Sequence, residues 1–414
     1  MALSALQERA QDWSEVHPAL ATPWQEGQLG AKEALELVDQ TLQSAELEEE
    51  LWVPRLGARQ ATVFHPGYGL LPCPERALWT RIASDSERFP KVVFVLRTMK
   101  RLVEEGRRTT KRDIFYENFA VFSNQAEVDR LVAELVALLQ VPRLMLGVVA
   151  TSKGLVVGDL SYLNSEGIMV DCSLTVGGDS IPQDVPELRD LRTRANFLLV
   201  VEKDAVFQRL LEEGVFEAGL PPFIMVTGKG VPDLATRQLV YRLTTQFILP
   251  VVILTDCDPY GFEIALTYKF GSLAMAWAPE RLAVPSAIWL GLLPSDLGEL
   301  GIQEESMRLL SREDRKKIQD LHLRDYINDF CPQLVEELEI LWRVGRKAEI
   351  QQVLFRGERK RHKHIKHIQN SIFLCIRCLR RESQDFWPRP FFQASFCTWS
   401  TWLATGTNFS EGST

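Results

Sequence analysis

Hydrophobic positions recur along much of this chain with periods that predict specific elements. Residues 31–51 place Leu35, Val38 and Leu42 at helical spacing on a strongly acidic stretch, which predicts an amphipathic helix. The Pro- and Gly-rich residues 52–84 offer it no obvious core, so it docks either on a partner or on a distant part of the same chain. Val92, Val93, Val95, Leu96, Met99 and Leu102 predict a second helix ending at Gly106. Val128, Leu131, Val132, Leu135, Leu138 and Leu139 predict another over 124–140. Between them, Thr110 and Asp113 form a capping pair ahead of Ile114 and Phe115, opening a short helix. Residues 144–163 hold two β-rich runs around Ser152-Lys153-Gly154 and predict a hairpin. Three helices and a hairpin make a winged helix, which serves either to grip DNA or as a protein-interaction module. Lys153, at the expected hairpin tip, either touches a phosphate or is simply solvated.

Beyond residue 196 the period changes. Three short, continuously apolar runs, 197–201, 223–226 and 250–255, alternate with helical stretches at 205–216 and 233–247. This β-α-β-α-β pattern predicts a parallel sheet buried on both faces, hence an α/β domain. Right-handed crossovers put the carboxyl ends of such strands on one edge, where open α/β sheets place ligands. Glu202, the glycine turn at 228–230, Asp256 and Asp258 therefore converge, although they span more than fifty residues. Three carboxylates on one edge repel one another and suit a hard cation such as Mg²⁺; the competing reading is that they cap the helices that follow. Neither GxxxxGK[ST] nor GxGxxG occurs, which removes P-loop hydrolysis and dinucleotide binding. Gly228 and Gly230 permit close backbone approach, and Lys229 between them either steadies a phosphate or lines the loop.

Composition narrows the partners. With 414 residues, two or three domains are expected, and 46% hydrophobic with 25% charged residues fits a globular protein. The net charge of -8 is uneven: residues 356–414 hold 10 Lys/Arg against 4 Asp/Glu, leaving -14 for residues 1–355. Contact with nucleic acid must then run through local basic patches. The start lacks the apolar run of a secretory signal, no stretch is long enough to span a membrane, and seven scattered cysteines suit reduced thiols of the cytosol or nucleus.

Arg112 and Tyr116 stand four residues apart, so a guanidinium and a phenol share one helical face. Such a pair meets a phosphate, or else the tyrosine is a packed ring with a wet hydroxyl. Taken in order, Thr110–Tyr116, Val201–Asp204, Thr227–Asp233, Asp256–Gly261 and Trp289–Asp296 resemble the motifs of the topoisomerase VI A-subunit family. The likeness is greatest to its eukaryotic branch, whose members make the DNA double-strand breaks that initiate meiotic recombination. It covers roughly residues 87–355.

The resemblance implies a winged-helix domain carrying the nucleophile and a Toprim α/β domain carrying the metal. It implies that Tyr116 becomes linked to a 5′ phosphate, that Arg112 stabilises the reacting phosphate, and that Glu202 and Asp256, assisted by Asp258, hold Mg²⁺. Its further implications are double-stranded DNA as substrate, a homodimer in which each tyrosine meets the other chain's metal, and a nuclear place on meiotic chromosomes. A topoisomerase VI B-like subunit bound through the N-terminal helix and accessory proteins of break formation complete the implied partners. A catalytically silent DNA-binding or assembly subunit of the same fold is the alternative, and a Toprim nuclease or primase a third. The expected organisation is a partner-binding helix and linker over 1–86, the tyrosine domain over 87–175, the Toprim domain and its extension over 176–355, and a basic tail over 356–414. The family pattern runs through Arg346–Gln351 and stops before that tail. His362, His364, His367, Cys375 and Cys378 supply potential zinc ligands without a common finger spacing; the alternative is a disordered basic segment touching DNA nonspecifically.

Overall fold

The computed structural model describes residues 30–354, apart from 74–75, 218, 279–281 and 299. The tail and its potential zinc ligands lie outside the described residues. Two large hydrophobic cores organise the chain.

The first core begins earlier than the sequence pattern suggested. Helix α1 (Ala31–Glu48) buries Ala34, Val38, Leu42 and Ala45 against α2 (Arg88–Glu104), whose Val92, Val95, Leu96 and Met99 share that core. Its acidic residues meet the basic side of α2, with Lys100 2.6 Å from Asp39 and Arg97 2.8 Å from Glu46. Of the two docking outcomes open for this helix, its apolar stripe therefore takes the one within the chain. Strand β1 (Glu50–Pro54) follows, then the hairpin of β2 (Thr62–His65) and β3 (Gly69–Pro72), then β4 (Trp79–Ala83), which pairs antiparallel with β1. Leu51, Val53 and Ile82 of the β1–β4 ribbon lie in the first core. The β2–β3 hairpin instead reaches the second unit: Phe64 stacks on Tyr326 at 5.0 Å, and a Cβ on Gly69 would strike the Phe270 carbonyl. The stretch expected to be a linker is thus a pair of ribbons, one for each core.

After β5 (Thr109–Thr110) come α3 (Lys111–Glu117) and α4 (Gln125–Leu139). Thr110 accepts from the Asp113 N–H, and the Asp113 carboxylate accepts from the Thr110 N–H, the capping box anticipated from the sequence. The expected hairpin over 144–163 does not form. Strand β6 (Val148–Val149) pairs parallel with β5, while β7 (Leu155–Gly158) crosses to the second unit and pairs antiparallel with a strand there, Leu155 opposite Thr227. The physical reason is burial: the adjacent Val156 and Val157 point to opposite faces of their strand, and a two-stranded hairpin leaves one face wet. Val156, Val157, Leu160 and Tyr162, expected with the tyrosine helices, belong to the second core.

That core surrounds a mixed sheet. Strands β8 (Ser161–Leu163), β9 (Met169–Asp171), β10 (Asp179–Ser180) and β11 (Arg189–Arg192) lead into it, β10 pairing with β7 and the other three forming a small sheet. Then follow β12 (Leu198–Val201), α5 (Asp204–Glu212), β13 (Ile224–Thr227), α6 (Leu234–Phe247), β14 (Val251–Leu254), α7 (Pro259–Phe270) and β15 (Ile288–Gly291). The sheet order is β10-β7-β13-β12-β14-β15, with β13, β12, β14 and β15 parallel. The chain steps from β12 to β13 on one side, then back across β12 to β14 on the other. This reversal is the switch point at which open α/β sheets form a crevice.

Beyond β15, β16 (Arg308–Leu309), α8 (Arg312–His322), α9 (Asp325–Phe330), α10 (Pro332–Val344), β17 (Arg346–Lys347) and α11 (Ile350–Leu354) fold back on the unit. Cys257 and Ala348 exchange backbone hydrogen bonds of 3.0 and 3.1 Å, which brings residues 346–352 to the end of β14. No helix among the described residues is long and apolar enough to cross a membrane.

Candidate active site

Tyr116 lies on α3, a helix of seven residues anchored by buried Ile114 and by the Thr110 cap. The tyrosine is 58% exposed, so it is not the packed ring of the simpler reading. Its neighbours are aromatic: Phe115 at 5.5 Å and Phe119 at 6.1 Å between ring centroids, with Phe119 itself exposed. Arg112, one turn earlier, is exposed as well. A cation and a phenol presented together to solvent beside flat apolar rings can meet a polyanion with stacked bases.

At the carboxyl ends of β12 and β14 the acids occupy the switch-point crevice. Glu202 is buried and accepts from the Asp256 N–H at 2.8 Å, so the two strand ends are tied through this carboxylate. Asp256 is 1% exposed; its Oδ1 accepts from the Ile350 N–H at 2.9 Å and its Oδ2 lies 2.5 Å from Lys203 Nζ. Asp258 caps α7, accepting from the N–H groups of Tyr260 and Gly261. Gly261 is needed there, because a Cβ would sit 2.3 Å from the Asp256 carbonyl oxygen. Burial, then the charges of Asp256 and Asp258, push the Glu202 carboxyl up to about 7. Burial and Asp256 also raise Asp258, against the Gly261 N–H that favours its charged form.

The capping and metal readings thus divide. Asp258 caps a helix, whereas Glu202 and Asp256 do not. No His, Cys, Asp or Glu group ready to hold a metal ion occurs among the described residues. The Lys203 ammonium and the Ile350 N–H engage the Asp256 oxygens, and the start of α7 engages Asp258. The donor chemistry still suits Mg²⁺, being all carboxylate oxygen with Glu202 held toward its neutral form by burial and by repulsion that a cation relieves.

Comparison with known proteins gives the lineage. Residues 87–148 match the family model "Type IIB DNA topoisomerase", and residues 197–363 match the model for the Toprim domain of the topoisomerase 6 A-subunit/Spo11 proteins. The mouse "Meiotic recombination protein SPO11" is 41% identical over 293 residues, covering 70% of this chain and 73% of that protein. The chain belongs to the topoisomerase VI A-subunit/Spo11 family. Relatives extend to plants: Arabidopsis "Meiotic recombination protein SPO11-1" is 37% identical over 64% of this chain and 72% of its own length. The A-type chain of Arabidopsis DNA topoisomerase 6 is 36% identical over 62% of this chain and 60% of its own length.

Each matched region of this Spo11-family chain carries most of one of the two cores. Tyr116 and Arg112 fall in the type IIB region, and Glu202, Asp256 and Asp258 in the Toprim region. No hydrogen bond, ion pair or ring contact among the described residues joins one set to the other. The two expected DNA-contacting lysines do come together: Lys153 Nζ donates to the Lys229 carbonyl at 3.2 Å, and the Lys153 N–H donates to Asp233. Lys153 lies on the crossing segment before β7, not at a hairpin tip. The Lys229 ammonium lies 3.3 Å from Asp204, and the Gly230 N–H donates to the Glu202 carbonyl at 2.8 Å, so this basic turn borders the acidic edge. Sequence reasoning passed over Lys203 and Glu349 as site residues. Glu349 lies 147 positions beyond Glu202 in the numbering, and only its place in the motif Arg346–Gln351 marked it.

Proposed function

We propose that this chain is a topoisomerase-like DNA transesterase that makes meiotic double-strand breaks initiating homologous recombination. The observation that carries the reading is an exposed tyrosine one turn from an exposed arginine, in a chain whose second core ends in a buried carboxylate cluster. Tyr116 Oη attacks a backbone phosphorus; an O–P bond to the tyrosine forms, the bond to the 3′ oxygen breaks, and the phenolic proton leaves as the 3′ oxygen gains one. The product is a 5′-phosphotyrosyl link that keeps the energy of the phosphodiester, so cleavage itself needs no ATP. Arg112 faces the charge that develops on the phosphate. Glu202 and Asp256, assisted by Asp258 from its cap position, would hold Mg²⁺, which would supply positive charge against the charge developing on the phosphate. Lys153 and Lys229 take the neighbouring backbone phosphates as point charges.

The helices α2, α3 and α4 form a winged-helix-like DNA grip in this reading, with the β1–β4 ribbon on the same core. With no contact among the described residues joining Tyr116 to the acids, the reading uses a homodimer in which each tyrosine serves the other chain's edge. A topoisomerase VI B-like subunit would use the exposed face of α1, since its apolar stripe is taken up within the chain, and accessory proteins would join on meiotic chromosomes in the nucleus. Detergent denaturation after incubation with duplex DNA, Mg²⁺ and the B-like partner tests the reading. DNA carrying protein on its 5′ ends, lost in Tyr116→Phe, supports it. DNA binding with no adduct under these conditions would favour the catalytically silent assembly subunit.

A further inference from the structure

At the acidic edge the cation in place is a side chain. Lys203 Nζ lies 2.5 Å from Asp256 Oδ2 and 3.4 Å from Glu349 Oε2. Asp256 Oδ1 accepts from the Ile350 N–H and Oδ2 is held by Lys203, so on this almost wholly buried carboxylate a metal ion meets the Lys203 charge whichever oxygen it takes. Glu349 offers the ammonium a second carboxylate. It is carried by the segment pinned to β14 through Cys257 and Ala348, and Arg308 balances it from the other side at 3.3 Å. The ammonium thus bridges two carboxylates from two segments of the chain.

We propose that Lys203 is a positioning residue that stands in for the divalent cation on Asp256 in the metal-free chain and shifts to Glu349 when the metal enters. This rests on the metal reading above. The physical reason is charge balance: without a cation between them, buried Glu202 and Asp256 stand beside half-buried Asp258, which Lys347 only partly offsets, and two cations on one carboxylate repel each other. Lys203 keeps the edge assembled without metal, and Glu349 keeps the released ammonium from being stranded.

The test uses the full chain and Mn²⁺ or Mg²⁺ alone, with no DNA, read by calorimetry and by melting temperature with and without metal. Lys203→Met removes the competing charge at similar side-chain length; the expected result is metal binding about tenfold tighter or more. Its melting point falls in chelator, and the rise on adding metal is larger than in the unmodified chain. Glu349→Gln removes the alternative carboxylate, holds Lys203 on Asp256, and weakens metal binding several-fold. A lysine with a purely structural role does not move affinity in opposite directions in the two variants. If the unmodified chain binds no metal in either measurement, the metal reading itself fails. If it binds metal, and Lys203→Met binds no tighter or Glu349→Gln no weaker, the stand-in role is overturned. Should Lys203→Met not fold without metal, the Glu349→Gln affinity alone decides.

Discussion

The two halves of the proposed active site are built in opposite ways. The tyrosine half is a seven-residue helix whose Tyr116 ring is 58% exposed, held by one buried isoleucine and one capping box. The acidic half is the rim of a six-stranded sheet whose strands β12, β13 and β14 are buried throughout. A nucleophile that must reach a bulky polymer has to stand out of the surface. Carboxylates that must stay close against their mutual repulsion need a scaffold whose own burial outweighs that cost. The contrast implies that substitutions in the first half affect chemistry with little effect on folding, and substitutions in the second affect both.

The largest separation is expected for Tyr116→Phe. All 5′-linked adduct is lost, while the melting temperature stays within about 2 °C, because only an exposed hydroxyl is removed. A fall well beyond that margin would break the contrast by making the tyrosine structural. Asp256→Ala is the counterpart: it leaves the Ile350 N–H unmatched and Lys203 without its nearest carboxylate. It is expected to cost about 4 kcal/mol in urea unfolding, alongside loss of adduct. Full stability in that variant would break the contrast, because relief of the carboxylate repulsion would then offset the lost Ile350 and Lys203 contacts.

The next effect is a pH slope. The folded Glu202 pKa of about 7 lies above its ordinary value of 4.5, so the folded chain takes up a proton more readily than the unfolded one. Metal-free stability therefore falls as pH rises from about 4.5 to about 7, by up to ~3 kcal/mol, and Glu202→Gln removes this slope. Denaturant midpoints at several pH values in chelator check it. The smallest effect is Thr110→Ala, which removes the α3 cap and costs about 1 kcal/mol. Hydrogen exchange should rise across residues 111–117 and stay unchanged in the β12–β14 region; a change in both would show that the two cores unfold together.

Much of the second core was legible because short, continuous apolar runs, alternating with helices, fit a parallel sheet buried on both faces. Glu202, Asp256 and Asp258 were legible for the same reason: strand ends in such a sheet share one edge whatever their separation in sequence. The hairpin at 144–163 was misread because local alternation identifies strands without naming their partners; Leu155–Gly158 found a better one in β13. The docking of α1 remained open because an amphipathic stripe states that a face is to be buried, not against what.

By itself the sequence determined most of the elements, the capping box at Thr110, the pairing of Arg112 with Tyr116 on one helical face, and the family, since all of these depend on residues close together or on motifs in order. Tertiary structure alone decided that α1 packs on α2, that Lys153 meets the Lys229 turn, and that Lys203 and Glu349 join the acids. These depend on contacts between distant segments, where burial and charge balance choose among partners that the linear pattern leaves equal.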